Sequence, residues 1–215
     1  MGFWSSVCSA VSGACSFIGR AASVIGNTVA GIATSIAQMG VTLAARVGET
    51  IKNVGISLGI IKPDDDFSEL GEKAMMSDKK PEDFDSMSDY IDHLRNDVVI
   101  DREKFKALGE KELLARSSIG AAITLQGINE KLDTVISPEF MATVTKQNLD
   151  AKEIVATINA YKENGINTNE YSLYINDELT IEQCDKHSTA LVQAYTKLEP
   201  ELSIEQIEDK VMGLK

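Results

Sequence analysis

The chain has 215 residues, of which 43% are hydrophobic, and a formal net charge of −12 at pH 7. This length accommodates one modest domain with an additional segment, or two small domains. Residues 1–62 carry a net charge of +3 and residues 63–215 a net charge of −15. The acidic majority argues against a nucleic-acid partner, because phosphate contacts need clustered lysine and arginine side chains.

A seven-residue repeat begins at Trp4 and ends at Ile61, with Arg46 inserted between its sixth and seventh copies. Its first position is apolar in every copy, as at Trp4, Val11, Ile18, Ile25, Ile32 and Met39. Its second position is always small, as at Gly19, Gly26, Ala33, Gly40, Gly48 and Gly55. Apolar residues at steps of three and four predict an amphipathic helix or helical hairpin. The inserted Arg46 predicts a break or distortion of that helix.

The small residues of the repeat are those that let helix backbones approach closely in lipid. A water-soluble coiled coil fits poorly, because the flanks of the apolar stripe are nearly uncharged. Residues 21–45 form a run of 25 residues without a charge, which is long enough to cross a bilayer. The run is too polar for a single membrane helix, but Asn27, Thr34 and Gln38 fit a water-filled lumen. The repeat therefore predicts insertion as an assembly, and a hairpin packed on the protein's own acidic domain is the alternative.

The composition changes after Ile61. Lys62-Pro63-Asp64-Asp65-Asp66 ends the repeat, because proline stops a helix and aspartate caps the next one. We therefore divide the chain into a membrane or oligomerisation segment over 1–62, a linker over 63–66 and an acidic helical domain over 67–215. The three aspartates resemble a calcium loop less than a cap, because the glycine and glutamate of that loop are missing.

Residues 67–215 predict seven or eight short helices around one core, with a longer central helix over about 111–132. Cap signals occur at Ser137, Asp150, Thr180 and Ser203, the last three as capping boxes. Residues 167–179 fit a weak helix, and residues 171–175 within it fit a strand as the alternative. The predicted fold class is all-α.

No catalytic motif emerges from the sequence. His93 and His187 fall in predicted amphipathic helices beside charged residues, which favours surface or cap roles. Cys184 and His187 share one helix, whereas a catalytic cysteine and histidine normally come from separate elements around a cleft. Three cysteines do not make a disulfide framework. We predict no enzymatic activity, no cofactor and no metal site.

A nearly uncharged, small-residue heptad segment joined to a small acidic helical domain resembles the pore-forming antibacterial effectors of bacterial type VI secretion. The resemblance rests on the repeat from Trp4 to Ile61. It implies an ion-selective pore in the inner membrane of a target cell and an immunity protein in the producer. It also implies a secretion-tube or chaperone partner, and it carries over no catalytic residue.

Two functions follow as expectations. The first is a toxin that is made in the cytoplasm, exported without a signal peptide and inserted into a lipid bilayer, where its N-terminal helices self-associate into a pore. The second is a structural or virion-type protein that uses the repeat for self-assembly without crossing a membrane. A small enzyme with an unrecognised site is a third, weaker alternative.

Overall fold

The computed structural model describes the backbone of residues 3–215 and the side chains from Ser9 onward. Within this range the chain forms twelve α-helices, two short 3-10 helices and no strand, so the all-α class is confirmed. The α-helices are α1 (Phe3–Ile25), α2 (Asn27–Gln38), α3 (Val41–Ser57), α4 (Phe67–Met76), α5 (Met87–Asp97), α6 (Arg102–Lys106), α7 (Glu110–Leu132), α8 (Pro138–Lys146), α9 (Ala151–Glu163), α10 (Tyr171–Ile175), α11 (Ile181–Leu198) and α12 (Ile204–Met212). Of the two alternatives for residues 171–175, the structure has the helix, α10.

The chain divides into two compact units, of which the first ends at Lys131 and the second is Leu132–Lys215. This division does not coincide with the boundary expected between residues 62 and 67, which lies inside the first unit. Helix α7, expected at the centre of the acidic domain, belongs to the first unit except for its last residue. The repeat and nearly half of the acidic sequence therefore fold together.

In the first unit, α1 packs against α2, α3 and α4, and α4 packs against α5. Helix α7 is buried along most of its middle, from Leu114 to Ile128. Its apolar residues form the core of this unit together with those of α1–α5, including Ile18, Ile25, Ile36, Ile51, Tyr90, Leu94, Ile119 and Ile123.

Helices α4 and α7 approach each other so closely that only glycine fits at the crossing. A Cβ atom at Gly71 would overlap the carbonyl group of Arg116, and one at Gly120 would overlap the carbonyl group of Phe67. On α4, Gly71 lies four residues after Phe67, and on α7, Gly120 lies four residues after Arg116. Each helix therefore contributes one glycine and one carbonyl group to the contact. Small residues at this spacing are what lets two helix backbones touch.

Most helices of the acidic sequence begin at side-chain caps. In the described part of the chain, seven of them start at a residue whose side chain accepts a hydrogen bond from a first-turn N–H group: Asp66, Ser86, Asp101, Ser137, Asp150, Thr180 and Ser203. The predicted caps at Ser137, Asp150, Thr180 and Ser203 are confirmed, the last three as capping boxes. Local sequence thus sets where these helices start.

In the second unit, α9 packs against α11, α11 against α12, and α8 against α10. Its core is rich in aromatic residues, because Phe140, Tyr161, Tyr171 and Tyr195 are all almost fully buried. Phe140 and Tyr161 each place their ring edge-on to that of Tyr171.

Candidate functional site

The seven-residue repeat is folded as three helices that meet at two glycines. Gly26 separates α1 from α2 with φ 84° and ψ 147°, and Gly40 precedes α3 with φ 83° and ψ 161°. This region of backbone conformation is open almost only to glycine. The two breaks therefore depend on the absence of a side chain at these positions.

The break expected at Arg46 is wrong, because α3 runs through this residue without interruption. Arg46 lies on the exposed side of the helix. The buried residues of α3 are Ala44, Val47, Gly48, Ile51, Val54 and Gly55, which follow steps of three and four across the insertion. Since the chain has already turned at Gly40, the phase of the apolar face starts afresh in α3 and the inserted residue causes no conflict.

The predicted apolar face points mainly into the first unit. Ile18 and Ile25 are fully buried, whereas Val11, Ile32 and Met39 are half-buried. Trp4 lies outside the described side chains. Within the first unit, the apolar stripe predicted to face lipid or a core is thus buried in part and half-buried in the rest.

The predicted line of small residues divides into three groups. Ala33, Gly48 and Gly55 are buried, and a Cβ at Gly55 would lie 2.8 Å from Cγ2 of Thr124 on α7. Gly26 and Gly40 form the helix breaks. Gly19 is exposed, with no atom near the position that its Cβ would occupy. The structure therefore does not place these six residues on one surface.

The three polar residues assigned to a lumen also differ in position. Asn27 and Gln38 are exposed at the two ends of α2. Thr34 is half-buried, and its hydroxyl donates a 2.8 Å hydrogen bond to the carbonyl oxygen of Ala30. Asn27 and Gln38 are thus accessible in the folded protein, whereas the Thr34 hydroxyl is bonded within its own helix.

The outer surface of the repeat is polar but almost uncharged. Twelve residues are exposed between Ser9 and Ala45, and Arg20 is the only charged one among them. Between Asp101 and Leu113, by contrast, eight of the eleven exposed residues are charged. An ordinary soluble surface carries charges of both signs throughout. On the repeat, the groups that contact water are instead mainly the side chains of serine, threonine, asparagine and glutamine and the backbone.

A second polar feature of the first unit is a groove of about 310 Å³ lined by Lys62, Asp64, Asp65, Asp66, Glu69, Leu70, Lys73, Arg95 and Arg102. Arg95 donates two hydrogen bonds to Asp65, with Nη2 2.7 Å from Oδ2 and Nε 3.2 Å from Oδ1. Arg102 contacts both carboxylate oxygens of Glu69, at 2.7 and 3.0 Å. Burial opposes ionisation of Asp65, but the hydrogen bonds and positive charges of Arg95 and Lys62 together outweigh it and lower the pKa of Asp65. Opposite charges are paired across this groove, which favours a structural role.

The second unit contains a buried histidine, His187, whose predicted location at the surface is wrong. His187 was expected at the surface or in a cap, yet it is only 1% exposed. Its Nδ1 lies 2.8 Å from the hydroxyl of Tyr161 and its Nε2 lies 3.3 Å from a carboxylate oxygen of Glu170. The ring of Tyr174 stacks on the imidazole with an interplanar angle of 14°. One signal was present in the sequence, because His187 lies three, four and seven residues before Ala190, Leu191 and Ala194, which share the buried face of α11.

This cluster has the order of a proton relay but is enclosed in the core. Burial is the main cause that lowers the pKa of His187, and it outweighs the opposing effect of the Glu170 carboxylate. Burial also raises the pKa of Tyr161 far above its ordinary value. A neutral His187 that accepts a hydrogen bond from Tyr161 and donates one to Glu170 gives each of the three side chains a hydrogen-bond partner. The cluster therefore fits a structural role in the core.

His93, the other histidine, is half-buried on α5. Its Nδ1 lies 2.9 Å from a carboxylate oxygen of Asp97 and its Nε2 lies 3.3 Å from the hydroxyl oxygen of Ser77. Cys184 is half-buried one turn before His187, and its sulfur lies 3.9 Å from the carbonyl oxygen of Leu179. Cys184 and His187 thus make separate contacts within α11 and its neighbours.

Over the part of the chain that the structure describes, no three residues among His, Cys, Asp and Glu are grouped to hold a metal ion. Over the same part, none of the helices combines the length and the apolar character needed to cross a bilayer. Comparisons of the chain with models of known protein families, with curated protein sequences and with solved structures found no match.

Proposed function

We propose that this protein is a non-enzymatic, membrane-inserting pore former whose repeat is stored in a folded, water-compatible form. In this proposal the amphipathic segment over residues 1–62 unpacks from the first unit at a bilayer and inserts together with other copies of the chain. The acidic sequence keeps the repeat folded before delivery and supplies the surface for a secretion-tube or chaperone partner.

The nearly uncharged outer surface of α1, α2 and the start of α3 carries this proposal. Moving a charged side chain to the centre of a bilayer costs about 2.5–3.5 kcal/mol or more. A helix whose exposed side holds Ser, Thr, Asn and Gln avoids this cost and still presents groups that water can solvate. With its other side apolar, such a helix suits the boundary between lipid and a water-filled path.

Burial of the apolar stripe in the folded form is consistent with storage. The stripe would exchange the apolar interior of the first unit for lipid tails, so its transfer has little hydrophobic cost. The small residues that now receive Thr124 and Phe67 of the same chain would then be free to receive helices of other copies. Together with the likeness to type VI pore-forming effectors, this favours action at the inner membrane of a target cell, with an immunity protein protecting the producer.

The sharpest test places a charge on the exposed polar side of α2. Gln38→Lys and Gln38→Glu alter an exposed residue at the end of the helix, so both variants should fold. In planar bilayers containing phosphatidylglycerol, we expect the lysine variant to shift ion selectivity towards anions and the glutamate variant towards cations.

Asn96→Lys and Asn96→Glu are matched controls, because Asn96 is exposed on α5, outside the repeat. They should leave selectivity as in the wild type. Absence of any conductance from the wild-type protein would refute the pore, and equal selectivity in both Gln38 variants would refute the assignment of this side to the lumen.

Self-assembly without a membrane is the second candidate, and one observation favours it. From Ser9 onward, the exposed residues of α1 apart from Arg20 are small and lie at helical spacing (Ser9, Ser12, Ser16, Gly19 and Ser23), so another helix can approach this side closely in water as well. This function predicts stable soluble rings or fibres by light scattering. It also predicts no loss of membrane potential in cells that express the protein in the cytoplasm or in the periplasm.

A further inference from the structure

The junctions between the repeat helices differ from the seven capped helix starts of the acidic sequence. Helix α2 begins after Gly26 and α3 after Gly40, and neither has a side chain that accepts a hydrogen bond from a first-turn N–H group. Neither helix has an acidic residue in its first turn or a basic residue in its last. Sequence therefore encodes no helix start at these two points beyond the conformational freedom of glycine.

Each junction is also very short. At Gly26 a single residue leaves the helical conformation, because Gly26 N–H still bonds to the carbonyl of Ala22 and Ala30 N–H bonds to the carbonyl of Gly26. At the second junction, Gly40 N–H bonds to Ala37 and Ala44 N–H bonds to Gly40. Rotation about the backbone of very few residues would thus join each pair of helices.

Both junctions lie inside the charge-free run over residues 21–45. As a continuous helix, these 25 residues would be about 37 Å long, which exceeds the bilayer core of about 30 Å. In the folded form the run is shared among the end of α1, all of α2 and the start of α3. A helix of that length exists only when Gly26 and Gly40 both become helical.

The surroundings decide which form is preferred. In water, the N–H groups at an uncapped helix start can bond to solvent, and Asn27 and Thr28 at the start of α2 are exposed. In lipid no water reaches these groups, and each unsatisfied group is strongly unfavourable. A continuous helix satisfies them internally, so a bilayer favours straightening.

We propose that Gly26 and Gly40 are hinges that hold the repeat as three helices in water and join them into one continuous helix in lipid. This inference rests on the proposed membrane insertion and adds the way in which insertion is controlled. The heptad pattern, which the breaks interrupt in the folded form, then becomes continuous from α1 to the end of α2 and into α3.

Gly40→Ala is the decisive variant. A Cβ at this position meets no atom within 4 Å, so alanine introduces only backbone strain at φ 83°. The strain destabilises the bent form and leaves the helical form unstrained. We expect a lower melting temperature and dye release from phosphatidylglycerol-containing vesicles that is about tenfold faster than that of the wild type. Gly26 is less suitable, because its Cβ would lie 2.8 Å from a carboxylate oxygen of Glu82.

Two control variants separate the hinge from general instability and from helix propensity. Gly59→Ala also introduces an alanine at positive φ (72°) in open space, but Gly59 lies beyond the C-terminal end of α3 and joins no two helices of the repeat. It should lower the melting temperature without accelerating release. Gly31 lies within α2, has no positive φ and has open space around its Cβ position. Gly31→Ala should therefore neither lower the melting temperature nor accelerate dye release.

A distance measurement supplements the variants and does not depend on the folding of Gly40→Ala. Ser23 and Ala45 are exposed on either side of the two junctions. Spin labels at Ser23→Cys and Ala45→Cys, with Cys8, Cys15 and Cys184 replaced by alanine, should be about 33 Å apart along a continuous helix in vesicles. In water they should be closer, because the chain turns at both glycines.

The outcomes distinguish the two proposals. If the wild-type protein releases no dye, the pore-forming function is refuted. If it releases dye while the label distance in vesicles equals that in water, or while Gly40→Ala is no faster than Gly59→Ala, the hinge is refuted and the pore-forming function stands.

Discussion

The hydroxyl of Tyr161 on α9 lies 2.8 Å from Nδ1 of His187 on α11, inside the aromatic core of the second unit. This hydrogen bond requires a neutral imidazole if Tyr161 donates, because a protonated histidine has no acceptor nitrogen. The other groups around the imidazole are Glu170, Tyr174 and Lys186. Two helices of this unit are therefore joined by a contact that is sensitive to protonation.

We expect the second unit to lose stability as the pH falls below about 6.5, the ordinary pKa of histidine in an unfolded chain. Burial lowers the pKa of His187 in the folded state, so the unfolded state binds the proton first and the free energy of unfolding decreases with falling pH. Thermal unfolding between pH 7 and pH 5, followed by tyrosine near-ultraviolet circular dichroism, measures this, because four of the five tyrosines lie in the second unit.

His187→Gln should flatten this pH dependence. His93→Gln is the matched control, and it should retain the wild-type dependence. If both variants behave alike, another group is responsible for the titration.

Close contact between α4 and α7 leads to a second prediction. Gly120→Ala places a methyl group against the Phe67 backbone, which must move, so we expect the first unit to be destabilised by about 1–3 kcal/mol or more. Gly19→Ala is the control, because Gly19 lies within α1 in open space, and alanine there should stabilise the helix by about 0.5–1 kcal/mol. Denaturant unfolding measures both effects. If Gly120→Ala and Gly19→Ala unfolded at the same denaturant concentration, the helices α4 and α7 would be able to move apart without loss of stability.

Exposed Gly19 also permits a test of self-association that leaves the folded form intact. Leucine at Ala33 would overpack a fully buried site, and leucine at Gly26 would be strained, so both would unfold the first unit. Gly19→Leu adds its side chain in open space, and we expect normal folding with strongly reduced vesicle leakage.

Gly31→Leu is the matched control for that test, because Gly31 is equally exposed and open but occupies the seventh position of the repeat. It should leak as the wild type does. Unchanged leakage in Gly19→Leu would show that the second position of the repeat is not a contact between copies in α1.

The helical class and most helix starts of the acidic sequence were predictable from the sequence. A cap such as Asp150 with Glu153 acts within one turn, so its effect depends on neighbouring residues alone. The seven-residue spacing likewise predicts a helical apolar face wherever the helix continues.

Other features depend on contacts between distant residues, and only the tertiary structure decides them. Gly26 and Gly40 occupy the same position of the repeat as Gly19, which remains helical, so the repeat pattern does not distinguish the breaks from the helix. Burial of His187 depends on Tyr161 and Glu170, and the place of α7 in the first unit depends on glycines at positions 55, 71, 120 and 127. Short-range hydrogen bonds and periodicity depend on residues close together in the sequence, so they can be predicted from it. Packing between helices depends on the free-energy balance of the whole unit, so only the tertiary structure shows it.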